Sequence, residues 1–150
     1  MSNRIHLKGP YTHDEADAGE AGIYPGMLLK VASDGDVEIH DTEGGRAEAL
    51  FATEDSLQGN TVATVYTVDN PVMLILAGLG CEVNALIAAG EDIAIGDWLC
   101  SNGDGCLRAL GSLDSEGIDV FCIAVAMEAC DLTASGAVNT LAAVRIVGLG

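Results

Sequence analysis

One stretch of fifteen residues occurs twice, and it restricts the fold more than any other feature of the chain. Residues Ile23 to Val37 align without a gap on Ile93 to Leu107, at an offset of 70 positions. Ile23 meets Ile93, Gly26 meets Gly96, Leu29 meets Leu99, and Asp34-Gly35 meets Asp104-Gly105. Val37 then meets Leu107. An Asp-Gly dipeptide supplies the positive φ that a tight hairpin turn requires, and apolar runs flank it on both sides. Each copy therefore reads as a strand entered over a glycine, a tight turn and a returning strand. Two such units predict an all-β barrel or sandwich built from two similar halves.

The composition agrees with many turns and short strands. Glycine accounts for 19 of the 150 residues, with no collagen-like period. Aromatic residues make up only 4%, so Val, Ile, Leu, Ala and Met must fill the core. A chain of this length forms one domain and buries about two-thirds of its unfolded surface. The formal net charge is −17, with six Lys and Arg in all. Phosphate binding needs a basic footprint, so neither nucleic acid nor an anionic membrane surface is expected as a partner. Mean hydropathy is nevertheless positive, at +0.34. A chain both acidic and apolar must hide apolar surface, and subunit interfaces are the natural place.

The first residues carry no apolar core of a secretory signal. The longest apolar run, Val72 to Cys81, is too short to span a bilayer. Cys81, Cys100, Cys106, Cys122 and Cys130 contain no Cys-x-x-Cys and read as small buried hydrophobes in a reducing cytoplasm. Cys100 and Cys106 flank the second turn, which leaves a bond across that hairpin as the minority reading.

Residues 1–22 differ from the rest. They hold Arg4 and Lys8, two of the six basic residues, followed by Pro10-Tyr11 and a polar run. The segment reads as an extended N-terminal arm, disordered or ordered only on a partner. Ile5 and Leu7 alternate with His6 and Lys8, which suits a strand added to a neighbour's sheet. Arg4, Ile5, Leu7 and Lys8 are thus the candidate partner-binding residues. Residues 23–150 form the globular domain. Strands are expected at Met27 to Ala32, Asp36 to His40, Ala47 to Thr53, Thr61 to Val68, Val72 to Ala77, Val120 to Glu128 and Leu141 to Val147. Asn84 to Ala89 fits either a helical turn or a strand. An acidic loop spans Asp114 to Asp119. In Val120 to Glu128, Phe121, Ile123, Val125 and Met127 form a large apolar face directed at a core. Cys122, Ala124 and Ala126 form a face of small residues that lets another backbone approach, in the same subunit or a neighbour, and they are the candidate trimer interface.

No catalytic, cofactor or metal site emerges. There is no Gly-x-Ser-x-Gly elbow, no phosphate-cradling glycine loop and no His-Glu-x-x-His. Asp34, Asp36, Glu38, His40 and Asp41 cluster in sequence, but their spacing is not that of a calcium loop, and such a strand face is ordinarily solvated. A biotinyl or lipoyl carrier would display a lysine at a hairpin tip. The tips here are Ser33-Asp34-Gly35-Asp36 and Asn102-Gly103-Asp104-Gly105, without one.

The pattern Gly26-Met-Leu-Leu, Ala-Ser-Asp-Gly, the run Glu82 to Ser101 and Gly-Asp-Gly105 resembles the capsid decoration, or cement, proteins of tailed bacteriophages. The resemblance covers about Ala21 to Val147. It implies a compact, β-tulip-like domain with an N-terminal extension. It also implies homotrimers on the outer capsid surface of the virion, made in the host cytoplasm, that clamp neighbouring major capsid proteins. It carries over no catalytic residues. A strongly acidic component suits the outer face, because packaged DNA would repel it from within. Two other classes stay open: a non-viral bacterial β-barrel module for oligomerisation or binding, and an enzyme subunit whose site forms between chains.

Overall fold

The structure, a computed structural model, describes residues 4–111 and 120–147, so the acidic loop Asp114 to Asp119 lies outside the described residues. The described chain is almost entirely β. In order come β1 (His6–Lys8), β2 (Tyr11–Asp17), β3 (Leu29–Val31), β4 (Val37–Ile39), β5 (Leu50–Ala52), β6 (Pro71–Ala77) and β7 (Glu82–Ile87). Then follow β8 (Asp92–Ile93), β9 (Trp98–Ser101), β10 (Leu107–Ala109), β11 (Cys122–Ala126), β12 (Cys130–Asp131) and β13 (Thr140–Ile146).

Five strands close a barrel in the order β7, β10, β9, β11, β13 and back to β7. The closing seam is antiparallel and regular, from Thr140 opposite Ile87 to Arg145 opposite Glu82. Alternation builds it: Ala142, Val144 and Ile146 are buried while Arg145 is exposed. On its other flank, β7 is shared. Leu107 of β10 pairs with Ile87 at one end, and β1 pairs with Val83 and Glu82 at the other. Beside the barrel lie a three-stranded sheet, β2-β6-β5, the hairpin β3–β4 and the short pair β8–β12.

Two cores result. One fills the barrel around Ile87, Leu99, Leu107 and Val144, and the other packs Ile23, Leu29, Val37 and Val72. The repeat supplies both. Ile93, Leu99 and Leu107 enter the first, and their counterparts Ile23, Leu29 and Val37 enter the second. Each such side chain contributes about 1.5–3 kcal/mol relative to exposure. β6 runs between the cores, with Val72 and Leu74 in one and Ile75 and Ala77 in the other. That accounts for its continuous apolar sequence.

The repeated stretches fold into hairpins of one register. Leu29 faces Ile39 and Val31 faces Val37; seventy positions on, Leu99 faces Ala109 and Ser101 faces Leu107. Their loops are three residues long, not two. Ala32 N–H donates to Asp36 O at 2.8 Å, and Asn102 N–H donates to Cys106 O at 2.9 Å. In both, the turn aspartate caps the chain two residues on: Asp34 Oδ1 accepts from Asp36 N–H at 3.0 Å, Asp104 Oδ1 from Cys106 N–H at 3.1 Å. The sheets that receive the hairpins differ. β3–β4 stands alone as a pair, whereas β9–β10 is a wall of the barrel.

Three expectations change. Thr61 to Val68 forms no strand, because its hydroxyls turn the backbone on itself. Thr64 Oγ1 accepts from Thr61 N–H, and Thr61 Oγ1 accepts from Ala63 N–H. Asn84 to Ala89 resolves as strand, its first residues lying in β7. The small-residue face of β11 turns inward. Ala124 is fully buried and Ala126 nearly so, while Val125 is half-buried. A barrel of five strands is narrow, and its interior takes alanines from β7, β11 and β13.

Gly35 and Gly105 both have positive φ, at 92° and 86°. They differ in what a side chain would meet. A Cβ on Gly35 enters open space, whereas one on Gly105 lies 3.0 Å from Ile39 Cγ2 and 3.2 Å from Met27 Cγ. Gly35→Ala should cost about 1 kcal/mol, the backbone penalty alone. Gly105→Ala should cost at least about 1 kcal/mol more, because a packed neighbour must shift. Urea denaturation of the two variants checks this, and equal losses would refute the close contact.

Candidate interaction surfaces

The N-terminal segment is extended, and it orders on its own chain. Ile5 is fully buried in the barrel core. Its carbonyl accepts from Asn84 N–H at 2.7 Å, and its N–H donates to Glu54 Oε2 at 3.0 Å. Asn84 Nδ2 donates to the Arg4 carbonyl at 2.8 Å. Lys8 Nζ lies 3.1 Å from Glu82 Oε2. Of the four residues assigned to a partner, Arg4, Ile5 and Lys8 thus engage this chain, Arg4 through its carbonyl. Leu7 has an exposed side chain. The segment does pair as a strand, with the chain's own β7 as the receiving edge, but the register shifts between His6 and Lys8, so Ile5 is buried while Leu7 stays exposed.

Cys122, Ala124 and Ala126 meet in register with Cys100, Leu99 and the β13 residues Ile146 and Val144. They are buried within the barrel wall and leave no small-residue face on the surface.

The acidic cluster divides. Asp34 caps its turn. Glu38 and Asp41 flank Lys30, at 3.7 Å and 2.7 Å. The Lys30 hydrogen bond holds the Asp41 carboxyl below the usual carboxylate range, and the Asp41 bond in turn raises the Lys30 ammonium. His40 leaves the cluster altogether and is buried. Nε2–H donates to the Arg46 carbonyl at 2.8 Å, and Nδ1 accepts from the Ser101 hydroxyl at 2.7 Å. Among the described residues, no three His, Cys, Asp or Glu side chains stand as a group able to hold a metal.

Two surfaces escaped the sequence. The first is an apolar groove lined by Tyr24, Pro25, Val62, Leu86, Val138 and Leu141, along with four further residues, none of them charged. Val138 is 71% exposed and Tyr24 41%. These residues come from separate segments, so no local pattern announces the groove. The second is the outer edge of β2, which ends its sheet. Gly78 N–H donates to Pro10 O at one end of the pairing with β6, and Ala18 N–H donates to Asn70 O at the other. In the register between them, even-numbered residues carry the ladder bonds. The backbone groups of Tyr11, His13 and Glu15 therefore point away from β6, with the Glu15 N–H donating to Asp14 Oδ1 at 2.8 Å. At the Asp17 end, Ala18 bridges Val37 of β4 and closes the edge.

No protein-family model and no curated protein matches this chain. Among solved structures, it is similar to the N base of the head fiber gp8.5 of bacteriophage phi29, with a TM-score of 0.56 at 15% identity. The likeness covers 91% of this chain and 94% of that one, and it is a likeness of fold.

Burial, then repulsion from Asp34, Asp17, Asp69 and Glu38, pushes the Asp36 carboxyl up. An acid whose folded pKa is raised favours the fold while protonated, and that contribution is lost as pH rises through the folded pKa. Asp36→Asn should therefore melt above the parent protein at neutral pH. The gap should close below about pH 3.9, where both side chains are neutral, and narrow in high salt. Thermal melts at both pH values test this, and a lower melting temperature at neutral pH would contradict it.

Proposed function

We propose that this chain is an accessory structural protein of a tailed-phage head, carried on the outer capsid surface as a decoration protein. The observation that supports this most is the fold shared, over nearly the full length of both chains, with a head-fiber base. The charge supports the outward position, since a protein of net charge −17 would be repelled by DNA inside the shell. In this reading the protein is non-catalytic, assembles as a homotrimer, and binds the major capsid protein.

Each contact has a surface that suits it. Copies of so acidic a chain repel one another wherever carboxylates face carboxylates. The uncharged groove at Val138 is where they meet without that cost. The capsid contact falls to the open edge of β2, where an extended capsid segment adds a strand. Asp14, Glu15 and Asp17 on β2 discourage pairing with a second copy and suit a capsid segment carrying Lys or Arg.

Light scattering should report about three times the 15.3 kDa chain mass for the parent protein. Val138→Asp, in an exposed position, should give a folded monomer whose melting temperature no longer depends on protein concentration. A monomeric parent or a trimeric variant would rule out the groove contact. For the capsid, purified protein is incubated with heads that lack it, and bound protein is counted after sedimentation. His13→Pro removes an outward N–H without touching the β6 ladder, so it should weaken binding at least about tenfold while the fold persists. Full binding by this variant would discard strand addition, and no binding by the parent protein would discard the capsid role.

A further inference from the structure

The pairing of β9 with β11 sets Cys100 directly opposite Cys122. Residues opposed in this way have Cα atoms about 4.5–5.5 Å apart and side chains on one face. A disulfide spans Cα separations of about 4.4–6.8 Å. Cys100 is fully buried and Cys122 is 9% exposed. No other two cysteines share such a position. Cys100 faces Arg108 on β10, the Cys106 backbone pairs with Asn102, and Cys130 faces Ile93. All five cysteines are thiols in this state.

We propose that Cys100 and Cys122 form a latent cross-strand disulfide site, closed by a small two-electron oxidant. Two S–H bonds break and one S–S bond forms. The two protons and two electrons pass to the oxidant, a neutral diazene that leaves as the hydrazine. Burial, then the neighbouring Cys122, pushes the Cys100 thiol up to about 11, so thiolate is scarce at neutral pH. Closure is therefore slow there and quickens as pH rises. The bond ties β11 to β9 beside the irregularity between Cys122 and Ala124, where the wall's register shifts. It constrains the unfolded chain and raises the melting temperature. This site stands apart from the assignment to a phage head and from the Cys100–Cys106 pairing considered from sequence.

The test uses the intact, folded protein with diamide at mildly alkaline pH, followed by alkylation and peptide mapping without reductant. The expected result is one linked peptide pair containing Cys100 and Cys122, two fewer alkylated thiols, and a melting temperature several degrees higher that reverts on reduction. Cys106→Ala should retain the link. Cys100→Ala and Cys122→Ala should each abolish it, and if either variant fails to fold the map of the parent protein still decides. A Cys100–Cys106 link, bonds between chains, or both thiols still alkylable after exhaustive oxidation would overturn the proposal.

Discussion

The fold depends on how the tip of one hairpin is held by the other. Gly105 N–H donates to His40 O at 3.2 Å, and Gly105 O accepts from Leu28 N–H at 2.9 Å. Leu28 and His40 are themselves bonded, His40 N–H to Leu28 O at 3.0 Å. A second hairpin thus ends inside the pairing of the first. The buried His40 ring fastens the same junction through Ser101 and Arg46. Buried polar groups left unpaired cost about 1–3 kcal/mol each, so these bonds stand or fall together. Leu28 belongs to the barrel core and Leu29 to the other core. The junction therefore couples the two cores, and a side chain at Gly105 would intrude on Met27 and Ile39 at the first hairpin.

What the sequence discloses is what local chemistry determines. Asp34-Gly35 and Asp104-Gly105 specify their turns within five residues, and the apolar positions beside them specify which strand faces enter a core. Both were legible, as was the apolar character of β6. Strand order was not. Closure of the barrel joins β13 to β7 and Leu107 to Ile87, pairings between residues far apart in sequence that no local period encodes.

His40 illustrates the limit. Asp36, Glu38 and His40 alternate with Val37 and Ile39, and a period of two puts all three on a wet face. The face is the same, but its cover changes along its length. Lys30 and Glu38 pair in the open, while one step on, Leu28 and His40 lie under the second hairpin. The N-terminal segment fails in the opposite sense. Tyr11 to Asp17 shows no apolar alternation because an edge strand with exposed side chains is held by its backbone, and backbone bonds leave no mark on composition. The small face of β11 reads from sequence as a place where a backbone of this subunit or a neighbour approaches, and it lies buried in the barrel wall. Which backbone approaches was decided by the radius of a barrel that the sequence does not state.

Charge then sorts the surface. At net −17, side-chain contacts between copies are unfavourable over most of the molecule and tolerable only where carboxylates are missing. A strand edge escapes this rule in part, because its N–H and C=O groups bond any extended chain regardless of sequence. In the proposed reading the acidic side chains of β2 act on that promiscuity as a filter, opposing a second copy of themselves and favouring a segment of opposite sign. In that reading the neutral groove and the acidic edge are complementary devices: one would permit association of like chains, and the other would oppose it while staying open to a segment of opposite sign. A single sequence can encode both only if they sit on separate elements. Here they do, the groove on the segments around Tyr24, Leu86 and Val138 and the edge on β2.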